Sequence, residues 1–130
     1  MKNKILIFTA LVISNSAFAR VANELSTFTS MQNSREKIEV YTCNNEVNVY
    51  WSISDGSEAP FDLSGILPSD AIENQYSVKV SGLNYRGVNE VTYLQLQQSV
   101  GANGVPFTTA SFAGFDTYQL NSTLVNPYCP

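Results

Sequence analysis

Five acids, Asp55, Glu58, Asp62, Asp70 and Glu73, gather in the middle of this 130-residue chain. Two carboxylates held at the right separation can hydrolyse a glycoside, one as acid and the other as base or nucleophile. Their spacing fixes no such pair, and a solvated acidic loop explains them more simply. The chain has no histidine, which removes imidazole acid–base catalysis, Ser-His-Asp triads and His-ligated metals. Asp55-Gly56-Ser57-Glu58 lacks the alternating oxygen ligands of a calcium loop. Gly101-Ala102-Asn103-Gly104 has neither the lysine nor the following helix of a phosphate loop. These absences point to binding rather than catalysis, with no cofactor and no metal expected.

The two cysteines are Cys43 and Cys129. Without a C-x-x-C motif they read as a structural disulfide rather than a redox pair, closing a loop of roughly 86 residues. An oxidising compartment agrees with the N-terminus. Lys2 and Lys4 precede the apolar run Ile5 to Ile13, and Ala17-Phe18-Ala19 is a small-x-small cleavage pattern, so residues 1–19 read as a secretory signal of bacterial appearance. The apolar run is too short for a membrane-spanning anchor, which needs about 20 residues. The predicted mature chain begins at Arg20 and is periplasmic or secreted. Taking Lys2 and Lys4 from the 7 basic residues leaves 5 against 11 acids, a net −6. Such a chain is a poor ligand for nucleic acid or anionic membrane, and a basic partner suits it better.

The elements that must position any site are strands. Ile38 to Ile53 (IEVYTCNNEVNVYWSI) is two alternating runs around Asn44-Asn45, a pair that tolerates the positive φ of a two-residue hairpin turn. Pairing Cys43 with Glu46 opposes Thr42–Val47, Tyr41–Asn48, Val40–Val49, Glu39–Tyr50 and Ile38–Trp51. Ile38, Val40, Thr42, Val47, Val49 and Trp51 then share the core face, while Glu39, Tyr41, Cys43, Glu46, Asn48 and Tyr50 share the other. The tail Asn126 to Pro130 must meet that second face for the disulfide to form. Further strands are expected at Tyr76 to Ser81, Val91 to Gln97, Phe107 to Phe112 and Thr117 to Leu120, with loops at Gly82 to Gly87 and Ser99 to Pro106. Ala113 to Asp116 reads as a turn, and Ser69 to Glu73 as a capped helical turn. Residues 20–37 form a lead-in: Val21, Leu25 and Phe28 recur at helical spacing, so a short helix and a partly ordered segment both fit. The expectation is one all-β domain over 38–130, a small antiparallel barrel or sandwich of six to eight short strands closed by one disulfide.

Of the aromatic residues, Tyr41, Tyr50 and Tyr93 sit on the face opposite the core and are the ones placed to recognise sugar or protein, packing against a second sheet being the competing role. Asn121-Ser122-Thr123 fits a glycosylation sequon that a bacterial protein has no need of.

Tyr41-Thr42-Cys43 opening a hairpin, Ser81-Gly82-Leu83-Asn84-Tyr85 some forty residues later, and a C-terminal cysteine together resemble the periplasmic and membrane-bound inhibitors of C-type lysozyme. That family is a small exported β-barrel whose first-strand cysteine pairs with one near the end. The resemblance implies that the S-G-x-x-Y segment enters the lysozyme cleft, with Ser81 contacting the catalytic carboxylates and Gly82 and Tyr85 shaping the loop. The family's second motif, a lysine and glycine after an aromatic strand, has no counterpart at Tyr93-Leu94-Gln95-Leu96-Gln97-Gln98. A glycan- or receptor-binding module, such as the B subunit of an exported toxin, is the alternative for a small disulfide-closed β-protein. The oligomeric state is left open by the sequence.

Overall fold

The computed structural model describes residues 21–112 and 116–130; the targeting segment, Arg20 and most of the Ala113 to Asp116 turn lie outside them. Among the described residues eight strands and no helix are present: β1 (Glu24–Ser30), β2 (Glu36–Cys43), β3 (Glu46–Ile53), β4 (Phe61–Ile66), β5 (Tyr76–Leu83), β6 (Asn89–Val100), β7 (Pro106–Phe112) and β8 (Thr117–Val125). Each pairs antiparallel with the next, and β8 returns to β1, so the sheet is a closed barrel. The choice between barrel and sandwich is thereby resolved in favour of the barrel.

The β2–β3 hairpin has the register expected from its alternation, from Glu36↔Ile53 to Cys43↔Glu46. Asn44 and Asn45 both take positive φ, 48° and 72°, the twist that matches a two-residue hairpin turn to its strands. Inward positions of successive strands then fill the barrel: Phe28, Ile38, Val40, Val47, Val49, Trp51, Leu63, Val78, Val80, Leu94, Phe112 and Tyr118 are all buried. These side chains occupy the space that a barrel of eight strands encloses. Among the described residues no buried side-chain nitrogen or oxygen lacks a hydrogen-bond partner. One end is closed by Glu36, which accepts from Trp51 Nε1 at 2.9 Å and from the Tyr118 hydroxyl. Burial, more than the Glu36 carboxylate, drives the Tyr118 phenol far above its ordinary range.

Two segments differ from expectation. Residues 24–30 of the lead-in are a strand, β1, and close the barrel between β2 and β8. Its inward residues are Ser26, Phe28 and Ser30, so only one of three inward positions is apolar. The apolar spacing that suggested a helix comes from Leu25, which faces the other way. Ser69 to Glu73 forms turns rather than a helical turn, with Ile72 bridging to Gln75.

At the β4–β5 seam the strands cross so closely that there is room only for glycine. A Cβ on Gly65 would lie 2.1 Å from the Lys79 carbonyl oxygen, and one on Gly82 would lie 2.7 Å from that of Asp62. Gly82 therefore has a packing reason to be glycine, independent of any role in a loop.

Candidate functional site

Closing the sheet turns the non-core face of the hairpin into outer wall, and the residues that alternate outward come into register across several strands. One row runs Tyr41–Asn48–Ser64–Ser81–Val91 through β2 to β6. The neighbouring row is Glu39–Tyr50–Asp62, and the one beyond on the other side is Cys43–Glu46–Ile66. Neighbouring strands are about 4.8 Å apart, so Ser81 sits roughly two spacings, about 10 Å, from Asn48.

The C-terminal tail raises a wall along this face. The Cys43–Cys129 disulfide, with Cα atoms 5.6 Å apart, brings the tail down as the cysteine arithmetic required. Asn126 is buried and donates from Nδ2 to the Thr42 carbonyl at 3.1 Å, while its own Oδ1 accepts from the Tyr128 amide at 2.9 Å. Tyr128 in turn tilts its ring 49° against Tyr41, centroids 5.9 Å apart. Between wall and sheet runs a groove of about 490 Å³ lined by Glu39, Tyr41, Cys43, Glu46, Asn48, Tyr50, Asp62, Asn126 and Tyr128. Among the described residues it holds three acids, three tyrosines and no basic residue. Tyr41 donates its hydroxyl to Glu39 at 3.0 Å. Burial first, then that bond and the Glu39 charge, push the Tyr41 phenol up to about 12.

The residues singled out from the sequence fall in different places. Tyr41 and Tyr50 line the groove, whereas Tyr93 stands exposed on β6 outside it. No second sheet covers any of the three, because the barrel wall is one closed sheet. Ser81 is exposed, but it lies within β5, which continues to Leu83; the connection to β6 is confined to Asn84 to Val88, closed by Asn84 N–H donating to the Val88 carbonyl at 2.9 Å. Tyr85 folds back onto the barrel end, its ring 5.9 Å from Trp51 and 6.1 Å from Phe61, with the Arg86 guanidinium 5.2 Å from its centroid. Tyr85 thus holds the loop, and Ser81 and Gly82 belong to the wall.

The acids foreseen in mid-chain disperse. Hydrogen bonds from the Ser57 side chain and then from its amide, the latter at 2.9 Å, hold the Asp55 carboxyl below the usual range. Only Asp62 enters the groove, where it meets Glu39 and Glu46 from the hairpin. Glu73 instead pairs with Glu24 at the other end of the barrel from Trp51. Burial, with a hydrogen bond and charge from Glu73, pushes the Glu24 carboxyl from 4.5 up to about 8. Glu73 also accepts from the Ala22 amide at 3.1 Å. Two carboxyls sharing a proton are a catalytic arrangement when substrate can reach them. Here the adjoining cavity, between Thr42, Tyr76 and Leu96, is only about 10 Å³, room for one water and no substrate.

That pair makes stability depend on pH. Between pH 4.5 and about 8 the folded chain holds a proton on Glu24 that the unfolded chain has released. The contribution is therefore full below pH 4.5 and is lost as pH rises through about 8. Discounted for the half-exposed position of Glu24, the loss is about 1–2 kcal/mol. Urea midpoints measured from pH 4.5 to 8.5 should fall across this window, and Glu73→Gln should flatten the trend; an unchanged slope in the variant would sever the link to this pair.

Among the described residues no group of three His, Cys, Asp or Glu side chains is placed to hold a metal, and no helix is long and apolar enough to cross a membrane. Comparison with protein-family models, curated proteins and solved structures finds no match to this chain.

Proposed function

We propose that this chain is an exported, non-catalytic binding protein that docks a basic protein on the outer wall formed by β2 to β5, with a C-type lysozyme as the leading partner. The observation that carries the reading is the continuity of that wall: the acidic, tyrosine-lined groove and the exposed Ser81 hydroxyl belong to adjoining rows of one rigid sheet. Opposite charge attracts a basic partner over distance, and a wall fixed by strand pairing loses little entropy on binding. The eight-stranded barrel and the Cys43–Cys129 bridge agree with what the lysozyme-inhibitor resemblance implies for fold. Ser81 supplies a small donor for a carboxylate in the enzyme's cleft. Gly82 lets β5 press against β4, and Tyr85 anchors the adjoining loop on Trp51.

The test is inhibition of a C-type lysozyme by the mature protein. Wild type should inhibit, and Ser81→Ala should weaken inhibition about tenfold while leaving the thermal midpoint unchanged. Absence of inhibition by wild type overturns the lysozyme reading.

A second reading, a glycan- or receptor-binding module, is favoured by one feature of the same groove. The Tyr50 ring stands beside Asn48 and Asp62, an apolar surface next to amide and carboxylate groups that suit sugar hydroxyls. Binding on a glycan array without lysozyme inhibition would select it.

A further inference from the structure

We propose that the groove between the β2–β4 wall and the C-terminal tail is a receptor for one arginine side chain of a protein partner. The inference rests on the binding-face reading above but not on lysozyme being the partner. Three observations define the occupant. First, the groove gathers Glu39, Glu46 and Asp62 from three strands with no basic residue among its described lining, and the ion pair between described residues, Arg35–Asp55 at 3.8 Å, is made outside it. A cation from outside the chain is thus the complementary guest. Second, three of the other lining residues are aromatic, Tyr41, Tyr50 and Tyr128, beside the amides of Asn48 and Asn126. A planar, weakly hydrated guanidinium can stack on a ring while its donors fork to carboxylates, which a compact ammonium does less well. Third, the volume of about 490 Å³ is that of a small-ligand pocket and is open to solvent, so it admits a side chain still attached to its backbone.

The receptor is assembled before the guest arrives. Glu39 is oriented by the Tyr41 hydroxyl, Tyr41 by the Tyr128 ring, and Tyr128 by Asn126 and the disulfide. The Tyr128 side chain is largely exposed, but Glu39, Tyr41 and the tail backbone are held in place, which lowers the entropy lost on binding. The high Tyr41 pKa agrees with a site that is partly dry and negative.

The probe is a blocked pentapeptide with a central arginine among glycines, titrated at low salt into the isotope-labelled mature protein and followed by backbone amide shifts. Saturable shifts at Glu39, Tyr41, Tyr50, Asp62 and Tyr128 are expected. The isosteric citrulline peptide should not reproduce them, and the lysine peptide should bind several-fold more weakly. Asp62→Asn combined with Glu39→Gln should weaken arginine binding about tenfold or more in a protein whose thermal midpoint is unchanged. Because those substitutions are on the outer wall, Tyr50→Ala serves as a second variant should either disturb folding. Equal binding of citrulline, shifts confined to other surfaces, or tighter binding of free spermidine than of the arginine peptide would each overturn the proposal. The peptide titration and the enzyme assay fail independently: loss of the first removes the arginine receptor, loss of the second removes only lysozyme as partner.

Discussion

Replacing Cys43 and Cys129 together by alanine should lower the unfolding free energy by about 4–5 kcal/mol. The bridge spans 86 residues, most of the described chain, so the unfolded ensemble it restricts is correspondingly large. A chain of this length has a total stability of about 5–15 kcal/mol, and the loss is a large share of it. The effect should not stop at stability. Asn126 is held by one side-chain bond to the Thr42 carbonyl and a backbone bond to the Asn23 carbonyl, and Tyr128 by its tilted contact with Tyr41. Without the covalent tie these contacts must hold the tail alone. The groove wall should therefore loosen in conditions where the barrel is still folded. Urea unfolding of the double variant measures the first effect, and amide exchange at Tyr128 in the folded protein measures the second. A variant that keeps the wild-type midpoint would show that the tail contacts suffice.

The second large effect is expected at Gly65. An added methyl would meet the Lys79 carbonyl oxygen at 2.1 Å and the Val80 Cγ1 at 3.2 Å. The first is backbone, held by the β5–β6 ladder, and cannot swing aside as a side-chain end would. Gly65→Ala should thus force β4 off β5 and cost about 3 kcal/mol or more, the upper range for overpacking. Gly56→Ala provides the contrast: its φ is +72° but nothing lies within 4 Å, so the cost should be the backbone strain alone, about 1 kcal/mol. Thermal midpoints of the two variants decide the matter. Equal losses would mean that the seam can yield.

The hairpin was legible from sequence because two signals agreed: period-two alternation on both sides and a turn dipeptide suited to positive φ. Their agreement fixes register, and register fixes which side chains are outside. β1 was illegible for the opposite reason. Its inward positions are Ser26, Phe28 and Ser30, while Leu25 on the other face completes a helical spacing with Phe28. Without β1 as a strand, nothing in the pattern shows that the sheet closes, and a barrel and a sandwich remain equivalent. The groove suffers from the same distance problem. Glu39, Tyr41, Asn48 and Tyr50 were visible on one face, but Asp62 and Tyr128 join them only through β3–β4 pairing and the disulfide. The pairing of Glu24 with Glu73 likewise depends on a tertiary approach across some fifty residues. Ser81 illustrates a subtler error: a glycine at 82 looks like the start of a loop, yet here it permits a strand to run on through a tight crossing.

The pairing of β1 with β8, from Glu24↔Val125 to Ser30↔Tyr118, has a consequence for how the chain is made. Synthesis runs from the N-terminus, so β1 and its β2 neighbour emerge long before the strand that covers β1's other side. Throughout that interval β1 presents a row of unpaired amides and carbonyls, the template on which stray strands join. Only β8 removes it, and Cys129 follows four residues after that strand. A barrel of this topology cannot be half-finished and safe: a nascent or truncated chain ending before residue 117 keeps two open edges, whereas β8 closes both among the described residues. The polar, weakly patterned β1 that hid from sequence analysis, with Ser26, Thr27, Thr29 and Ser30 among its seven residues, is well suited to that wait, since a strand poor in apolar side chains is the least adhesive one to leave exposed until its partner appears.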